Sequence, residues 1–153
     1  ESHADTADSH SDSLYDEKGR VLQCSVFTVV HDEKKGDSQI PASLTEWKYT
    51  EDGKIAEEKY TGYEAGARPG SIVTAVVRRD VYTYKAKDRN PDYAFYENGM
   101  LRMHTVYSSP DTYMTTLLFD GGFKVYSYYE HGRKTKEVYM QNGAVIRSRE
   151  YEQ

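Results

Sequence analysis

Aromatic and apolar residues along the chain fall into short runs separated by polar turns that contain glycine. Six times an aromatic residue is followed three or four positions later by a glycine, as in Tyr96-Glu97-Asn98-Gly99 and Tyr139-Met140-Gln141-Asn142-Gly143. Asn-Gly and Asp-Gly readily adopt the positive φ angles of tight hairpin turns. A second aromatic residue follows seven or eight positions after each glycine, which is the length of one strand. The pattern therefore predicts a succession of β-hairpins.

The same pattern places strands over most of the chain. Only 55–60 has a composition that suits a helix, and the hairpin phasing there favours a strand. Three polar stretches, 31–43, 62–71 and 85–91, are predicted loops, and such loops often carry binding residues. The predicted strands are 21–30, 44–50, 72–84, 93–97, 100–107, 113–119, 123–129, 134–140 and 144–151.

The turn glycines also recur at a coarse interval. Gly99 lies 46 residues after Gly53, and Gly122 lies 23 residues after Gly99. Periods of roughly 20–25 residues are typical of stacked supersecondary units. We therefore predict an all-β fold made of an antiparallel hairpin-repeat sheet. An eight-stranded lipocalin-like barrel is the alternative, because this number of strands would also fill one.

Several of these hairpins resemble MORN-variant repeats, which occur in bacterial proteins built from successive β-hairpins. The resemblance covers residues 47–60 and 93–152, and Tyr15-Asp16-Glu17-Lys18-Gly19-Arg20 resembles one YD-type repeat. The chain departs from typical repeats in having no regular Gly or Trp beside the turn. For some members of that family, the resemblance implies a cytosolic immunity or antitoxin-like role. The matching segments are Phe95-Tyr96-Glu97-Asn98-Gly99-Met100-Leu101, Tyr128-Tyr129-Glu130-His131-Gly132-Arg133-Lys134 and Val138-Tyr139-Met140-Gln141-Asn142-Gly143-Ala144.

Negative charge is concentrated at the start of the chain. Residues 1–17 hold six acidic residues and no Lys or Arg, which leaves 19 acidic and 20 basic residues in the remainder. A nearly neutral body is not the basic footprint of a nucleic-acid-binding protein. We therefore expect no nucleic-acid partner.

The first thirteen residues contain only Glu, Ser, His, Ala, Asp and Thr. None of these can anchor a core, so residues 1–13 are expected to form a disordered acidic tether, followed by a single β domain over 14–153. Ser/Asp-rich tethers of this kind commonly follow the cleavage site of bacterial lipoproteins. We expect a cell-envelope or secreted location, with a cytoplasmic one as the alternative. Membrane contact is expected only through an N-terminal lipid anchor, because no apolar run approaches the ~18 residues of a transmembrane helix.

Catalytic motifs are absent from the sequence. It contains no Gly-rich phosphate loop, no His-Glu-x-x-His and no Gly-x-Ser-x-Gly. Cys24 is alone in an apolar run and is expected to be a small core residue. We therefore predict a protein that is not an enzyme, with no catalytic residues, no cofactor and no metal.

Tyrosine is abundant, with 15 residues in a chain of 153. Tyr packs well in strands and is also favoured at recognition surfaces, because it is large, rigid and amphipathic. We predict a non-enzymatic cell-envelope protein that binds a protein partner through a Tyr/Arg-rich sheet face. A cytosolic immunity protein and a small-ligand carrier with a barrel cavity are the alternatives. The open edges of a sheet also predict a homodimer by edge pairing. The candidate partner-binding residues are Tyr126, Tyr128, Tyr139, Arg147, Arg149 and Tyr151.

Overall fold

The computed structural model describes residues 8–31, 34–85, 87 and 90–152, and its regular structure is almost entirely β-strand. A single 3₁₀ turn over Asp120–Gly122 is its one helical element within those ranges. No helix in the described residues has the length and hydropathy of a membrane span. The strands are β1 (Asp8–Tyr15), β2 (Val21–Val30), β3 (Ser38–Tyr49), β4 (Ile55–Ala65), β5 (Ile72–Thr83), β6 (Asp92–Glu97), β7 (Met100–Tyr107), β8 (Tyr113–Leu118), β9 (Phe123–Glu130), β10 (Arg133–Gln141) and β11 (Ala144–Glu150).

The strands form an antiparallel sheet in which sequence neighbours are hydrogen-bonded in chain order. This confirms the predicted all-β hairpin sheet, and it confirms that 55–60 is a strand, within β4. The lipocalin-like barrel is wrong, because the strand order is open. In that order β1 and β11 each have one neighbouring strand.

The contacts divide the chain into two compact units, Glu1–Arg78 and Arg79–Gln153, where the sequence predicts one domain over 14–153. The first unit contains β1 to β4 and the start of β5. The second contains the end of β5 and β6 to β11. The predicted partner-binding residues all belong to the second unit.

Five hairpins share one irregularity, an unpaired residue three positions after the turn glycine. In the first, the pairing steps from Tyr15–Val21 to Leu14–Gln23 and skips Leu22. Such a bulge bends the strand and increases its twist, and it also resets which residues point to each face. The corresponding residues in the other four hairpins are Ala56, Arg102, Thr135 and Ile146.

The turns of these hairpins are of two kinds. Three have two central residues with positive φ, Asn98-Gly99, His131-Gly132 and Asn142-Gly143, as a type I′ turn requires. The longer turns are Asp16–Arg20 and Thr50–Lys54. In each, a side-chain oxygen of the first residue accepts a hydrogen bond from the backbone amide of the last, at 2.9 and 3.0 Å. The predicted turn positions are therefore confirmed.

Residues 8–13, predicted to belong to the tether, lie in β1, whereas residues 1–7 are outside the described residues. Every side chain of β1 is exposed, but its backbone pairs with β2 from Asp8–Val29 onward. Main-chain hydrogen bonds do not depend on side-chain polarity. An exposed edge strand of Ser, Asp and His therefore carries no apolar alternation from which it could be predicted.

The predicted loop over 31–43 is shorter than expected, because β3 begins at Ser38. Pro41 lies inside this strand, next to a register shift in which Phe27 pairs with Pro41 and Val26 with Ser43. Proline cannot donate to a regular ladder, but it fits at such an irregularity. Pro41 was predicted to lie in a loop because this strand register cannot be recognised from the sequence.

The predicted loop over 62–71 is also shorter, because β4 continues to Ala65. Gly62 lies within the strand beside the ring of Tyr60. A Cβ added at Gly62 would lie 3.3 Å from that ring and 3.0 Å from Val76 Cγ1. The glycine therefore leaves room for the tyrosine ring to lie across the strand, and it does not mark a loop.

Buried side chains are few and mostly polar. Among the described residues, Val125 is the one buried apolar residue, at 8% exposure. Every buried polar side-chain atom among them has a hydrogen-bond partner, so the buried polar groups carry no uncompensated desolvation cost. The buried polar residues are Thr61, Asp92, Thr105, Thr116, Ser127 and Glu137.

Candidate functional site

The registers of β9, β10 and β11 decide which side chains share a face. Residues directly opposite one another project to the same face, and successive residues project to opposite faces. Tyr139 is opposite Val125 on β9 and Arg147 on β11, while Glu137 is opposite Ser127 and Arg149. We call the resulting surface the Tyr/Arg face. It comprises Tyr129, Lys134, Glu137, Tyr139, Arg147, Arg149 and Tyr151.

Four of the six predicted partner-binding residues are brought together on this face, namely Tyr139, Arg147, Arg149 and Tyr151. Tyr126 and Tyr128 are not. They pair with Val138 and Lys136 on β10 and therefore project to the opposite face.

Three members of the Tyr/Arg face were not predicted from the sequence, namely Tyr129, Lys134 and Glu137. Strand alternation shows that Tyr129 shares the face of Val125 and not that of Tyr128, but it does not show which of these two faces Tyr139 shares, because that depends on the bulge at Thr135. Lys134 could not be placed in this way, because the bulge at Thr135 interrupts the alternation along β10.

Glu137 is the centre of the face. Its carboxylate accepts hydrogen bonds from Lys134 Nζ at 2.5 Å, Tyr151 Oη at 2.7 Å and Tyr139 Oη at 2.9 Å. Ser127 Oγ donates a longer one at 3.3 Å. The hydrogen bonds from Lys134, then Tyr151 and Tyr139, lower the pKa of Glu137 to about 2. The carboxylate is therefore ionised, and it fixes the positions of a cation and two phenols.

The two phenols remain neutral donors. The hydrogen bond to Glu137 raises the pKa of both Tyr139 and Tyr151, since ionisation would place two negative charges side by side. The hydrogen bond that Lys134 itself donates to Glu137 raises the pKa of Lys134, which stays protonated.

Each cation of the face lies over an aromatic ring. The guanidinium of Arg147 is 5.7 Å from the ring centroid of Tyr139, and that of Arg149 is 4.8 Å from the centroid of Tyr151. Lys134 Nζ lies 5.8 Å from the centroids of both Tyr129 and Tyr151. These cation–π contacts order long side chains on a strand that is otherwise exposed.

The aromatic surface continues from this face across the neighbouring strands. Tyr129 stacks on Tyr113 with ring centroids 4.4 Å apart, and Tyr113 lies 4.9 Å from Tyr107. The three residues are directly opposite one another on β9, β8 and β7. Desolvation in this row, followed by the two neighbouring phenols, raises the pKa of Tyr113. The row extends the Tyr/Arg face with an amphipathic strip.

A second polar cluster in this unit surrounds Asp92. Burial alone would raise the pKa of this carboxyl, but the contacts with Lys85 and with the backbone amide of Tyr107 outweigh burial and lower it. Nearby, Tyr93 donates a hydrogen bond to Asp80. Both carboxylates already have partners, which is the arrangement of a structural cluster.

Among the residues that the structure describes, two grooves are large enough to be compared with ligand sites. One, of about 360 Å³, lies beside Tyr93 and Tyr107 in the second unit. The other, of about 350 Å³, lies beside Phe27 and Leu44 in the first unit. Both are near the lower limit of ligand pockets. The small-ligand alternative depended on a barrel cavity, which an open sheet does not enclose.

The described residues contain no group of three or more His, Cys, Asp or Glu side chains that could hold a metal ion. Cys24 is half-buried on β2, opposite Ser13 and Thr45.

No family model, curated protein or solved structure matches the chain.

Proposed function

We propose that this chain is a non-enzymatic binding protein that holds a protein partner on the Tyr/Arg face. One observation carries the proposal: three cations stacked on tyrosine rings around a single buried carboxylate, on a sheet edge that is open to solvent. Tyr and Arg contribute strongly to binding energy at protein interfaces. Side chains that are already ordered lose less entropy on binding, which favours affinity.

The charges of the face favour an acidic partner. Lys134, Arg147 and Arg149 outnumber the one carboxylate, Glu137, and Glu137 is shielded by its own donors. Each guanidinium can donate two parallel hydrogen bonds to a carboxylate. We therefore propose a partner that presents Asp or Glu beside apolar or aromatic residues.

The cellular setting is a proposal of its own. The composition of residues 1–13 supports a tethered protein of the bacterial cell envelope. The resemblance to MORN-variant repeats supports the alternative, a cytosolic immunity protein. In both settings the same face would bind a protein.

A pull-down from the native organism tests the proposal. The full chain is immobilised beside two double variants, R147A/R149A on the Tyr/Arg face and K124A/K136A as the matched control. Lys124 on β9 and Lys136 on β10 project to the face opposite that of Arg147 and Arg149. We expect the wild type and the control to retain one stoichiometric protein, and the arginine variant to retain it at least about tenfold more weakly.

Equal retention by both variants, or no protein above background with the wild type, would contradict the proposal. The identity of the retained protein also separates the two settings, because a toxin indicates the cytosolic role and an envelope component the tethered one.

A further inference from the structure

The two outermost strands in the sheet order carry opposite charges. β1, Asp8–Tyr15, contains two aspartates and no Lys or Arg, whereas β11, Ala144–Glu150, contains two arginines and one glutamate. All side chains of both strands are exposed. An edge strand also presents unpaired backbone N–H and C=O groups, to which another strand can pair.

Pairing between like edges can set like charges directly opposite each other. An antiparallel pairing of two β11 strands centred on Arg147 places one guanidinium opposite another. A pairing of two β1 strands centred on His10 places Asp8 opposite Asp12. Like charges that are directly opposite each other destabilise a strand pair.

Pairing between unlike edges is favourable. In an antiparallel register that sets Arg147 opposite Asp12, Arg149 is opposite His10 and lies between Asp8 and Asp12 of the same strand. Within each strand the residues involved share one face, because they are spaced by two positions. Both arginines therefore meet acidic side chains on that face.

The same register brings exposed apolar residues together. Leu14, at the end of β1, is 58% exposed, and Val145 and Ile146, at the start of β11, are each 60% exposed. Antiparallel pairing places these two ends side by side, so apolar area is removed from water next to the charged pairs.

We propose that β11 of one molecule pairs with β1 of a second copy, through Arg147 and Arg149 on one side and Asp8 and Asp12 on the other. The two surfaces differ, so each molecule in such a pair keeps one free edge and the association can continue head to tail. The inference does not require the proposed protein partner, but it uses two arginines, Arg147 and Arg149, that also belong to the Tyr/Arg face.

The aspartates must exchange existing contacts when the copies pair. Asp12 lies 2.9 Å from His10, and Asp8 lies 3.2 Å from His31. All four side chains are at least 46% exposed, so these contacts are weak. They therefore oppose pairing with β11 of a second copy only slightly.

Complementary charge reversal tests the pairing. Sedimentation velocity of the full chain is compared for the wild type, R147E/R149E and D8K/D12K, with K124E as the control. We expect concentration-dependent association of the wild type and the control, weakened about tenfold or more in each double variant. An equimolar mixture of the two double variants should associate again, because each junction then joins opposite charges.

Disulfide trapping gives an independent readout if a charge variant folds poorly. In a Cys24→Ser background, Ser11→Cys combined with Ser148→Cys, which are directly opposite in the proposed register, should give a ladder of intermolecular disulfides, and either cysteine alone should give far less. The proposal is overturned by a wild type that is monomeric at all concentrations, by mixed variants that stay apart, or by cross-linking that is as strong between like edges.

Discussion

At the scale of single residues, Glu137 connects stability with the proposed binding surface. It is buried, it is ionised, and it holds Lys134, Tyr139 and Tyr151 in place. A buried carboxylate is costly unless its lone pairs are satisfied, and here they are. The residue therefore orders a face that would otherwise consist of flexible side chains.

The lowered pKa of Glu137 predicts an acid-dependent loss of stability. Because its pKa falls from 4.5 to about 2 on folding, the ionised group stabilises the fold above pH 4.5, and this contribution is lost as the pH falls towards 2. We expect E137Q to lower the free energy of unfolding by on the order of 2–3 kcal/mol at pH 7. Urea denaturation at several pH values should show this difference shrink on acidification.

The matched control for this prediction is E150Q, which removes a carboxylate from the neighbouring strand. The Glu150 side chain is 79% exposed, so this change should cost less than about 0.5 kcal/mol at any pH. If the difference in free energy of unfolding between the wild type and E137Q did not vary with pH, Glu137 would not be the acid-sensitive group.

At the scale of the elements, the hairpin is the unit that the sequence predicted well. Asn-Gly, His-Gly and Asp-Gly turns are local chemistry, and they appear where aromatic and glycine spacing placed them. The bulges were beyond prediction because the skipped residues share no chemical type. They include an arginine, a threonine and three apolar residues. Since each bulge resets the faces, Tyr126 and Tyr128 were assigned to the wrong side of β9 relative to Tyr139.

The type I′ turns predict a specific cost for losing a turn glycine. Gly99 has a φ of 80°, and a Cβ added there would meet nothing within 4 Å. Gly99→Ala should therefore lower the free energy of unfolding by about 1–2 kcal/mol through backbone conformation alone. Chemical denaturation measures the change. The neighbouring Met100→Ala, at a position 50% exposed, should cost clearly less. Equal losses would argue that side-chain contacts hold this turn.

At the scale of the whole molecule, polar cross-strand contacts take the place that apolar burial has in most domains. Val125 is the one buried apolar side chain among the described residues, and Thr105 and Thr115 are hydrogen-bonded at 3.0 Å on neighbouring strands. Because so few side chains are buried, the surface that a partner can contact is decided by which face of the sheet each side chain occupies.

The most direct test of the Tyr/Arg face as a binding surface uses the natural tyrosines. Tyr128 and Tyr129 are adjacent in sequence but project to opposite faces of β9. Hydroxyl-radical footprinting of the full chain, with and without the retained partner, reports the accessibility of each ring. We predict protection of Tyr129, Tyr139 and Tyr151 by the partner, with Tyr128 unchanged. Protection of Tyr128 while those three rings stay accessible would contradict binding at the Tyr/Arg face.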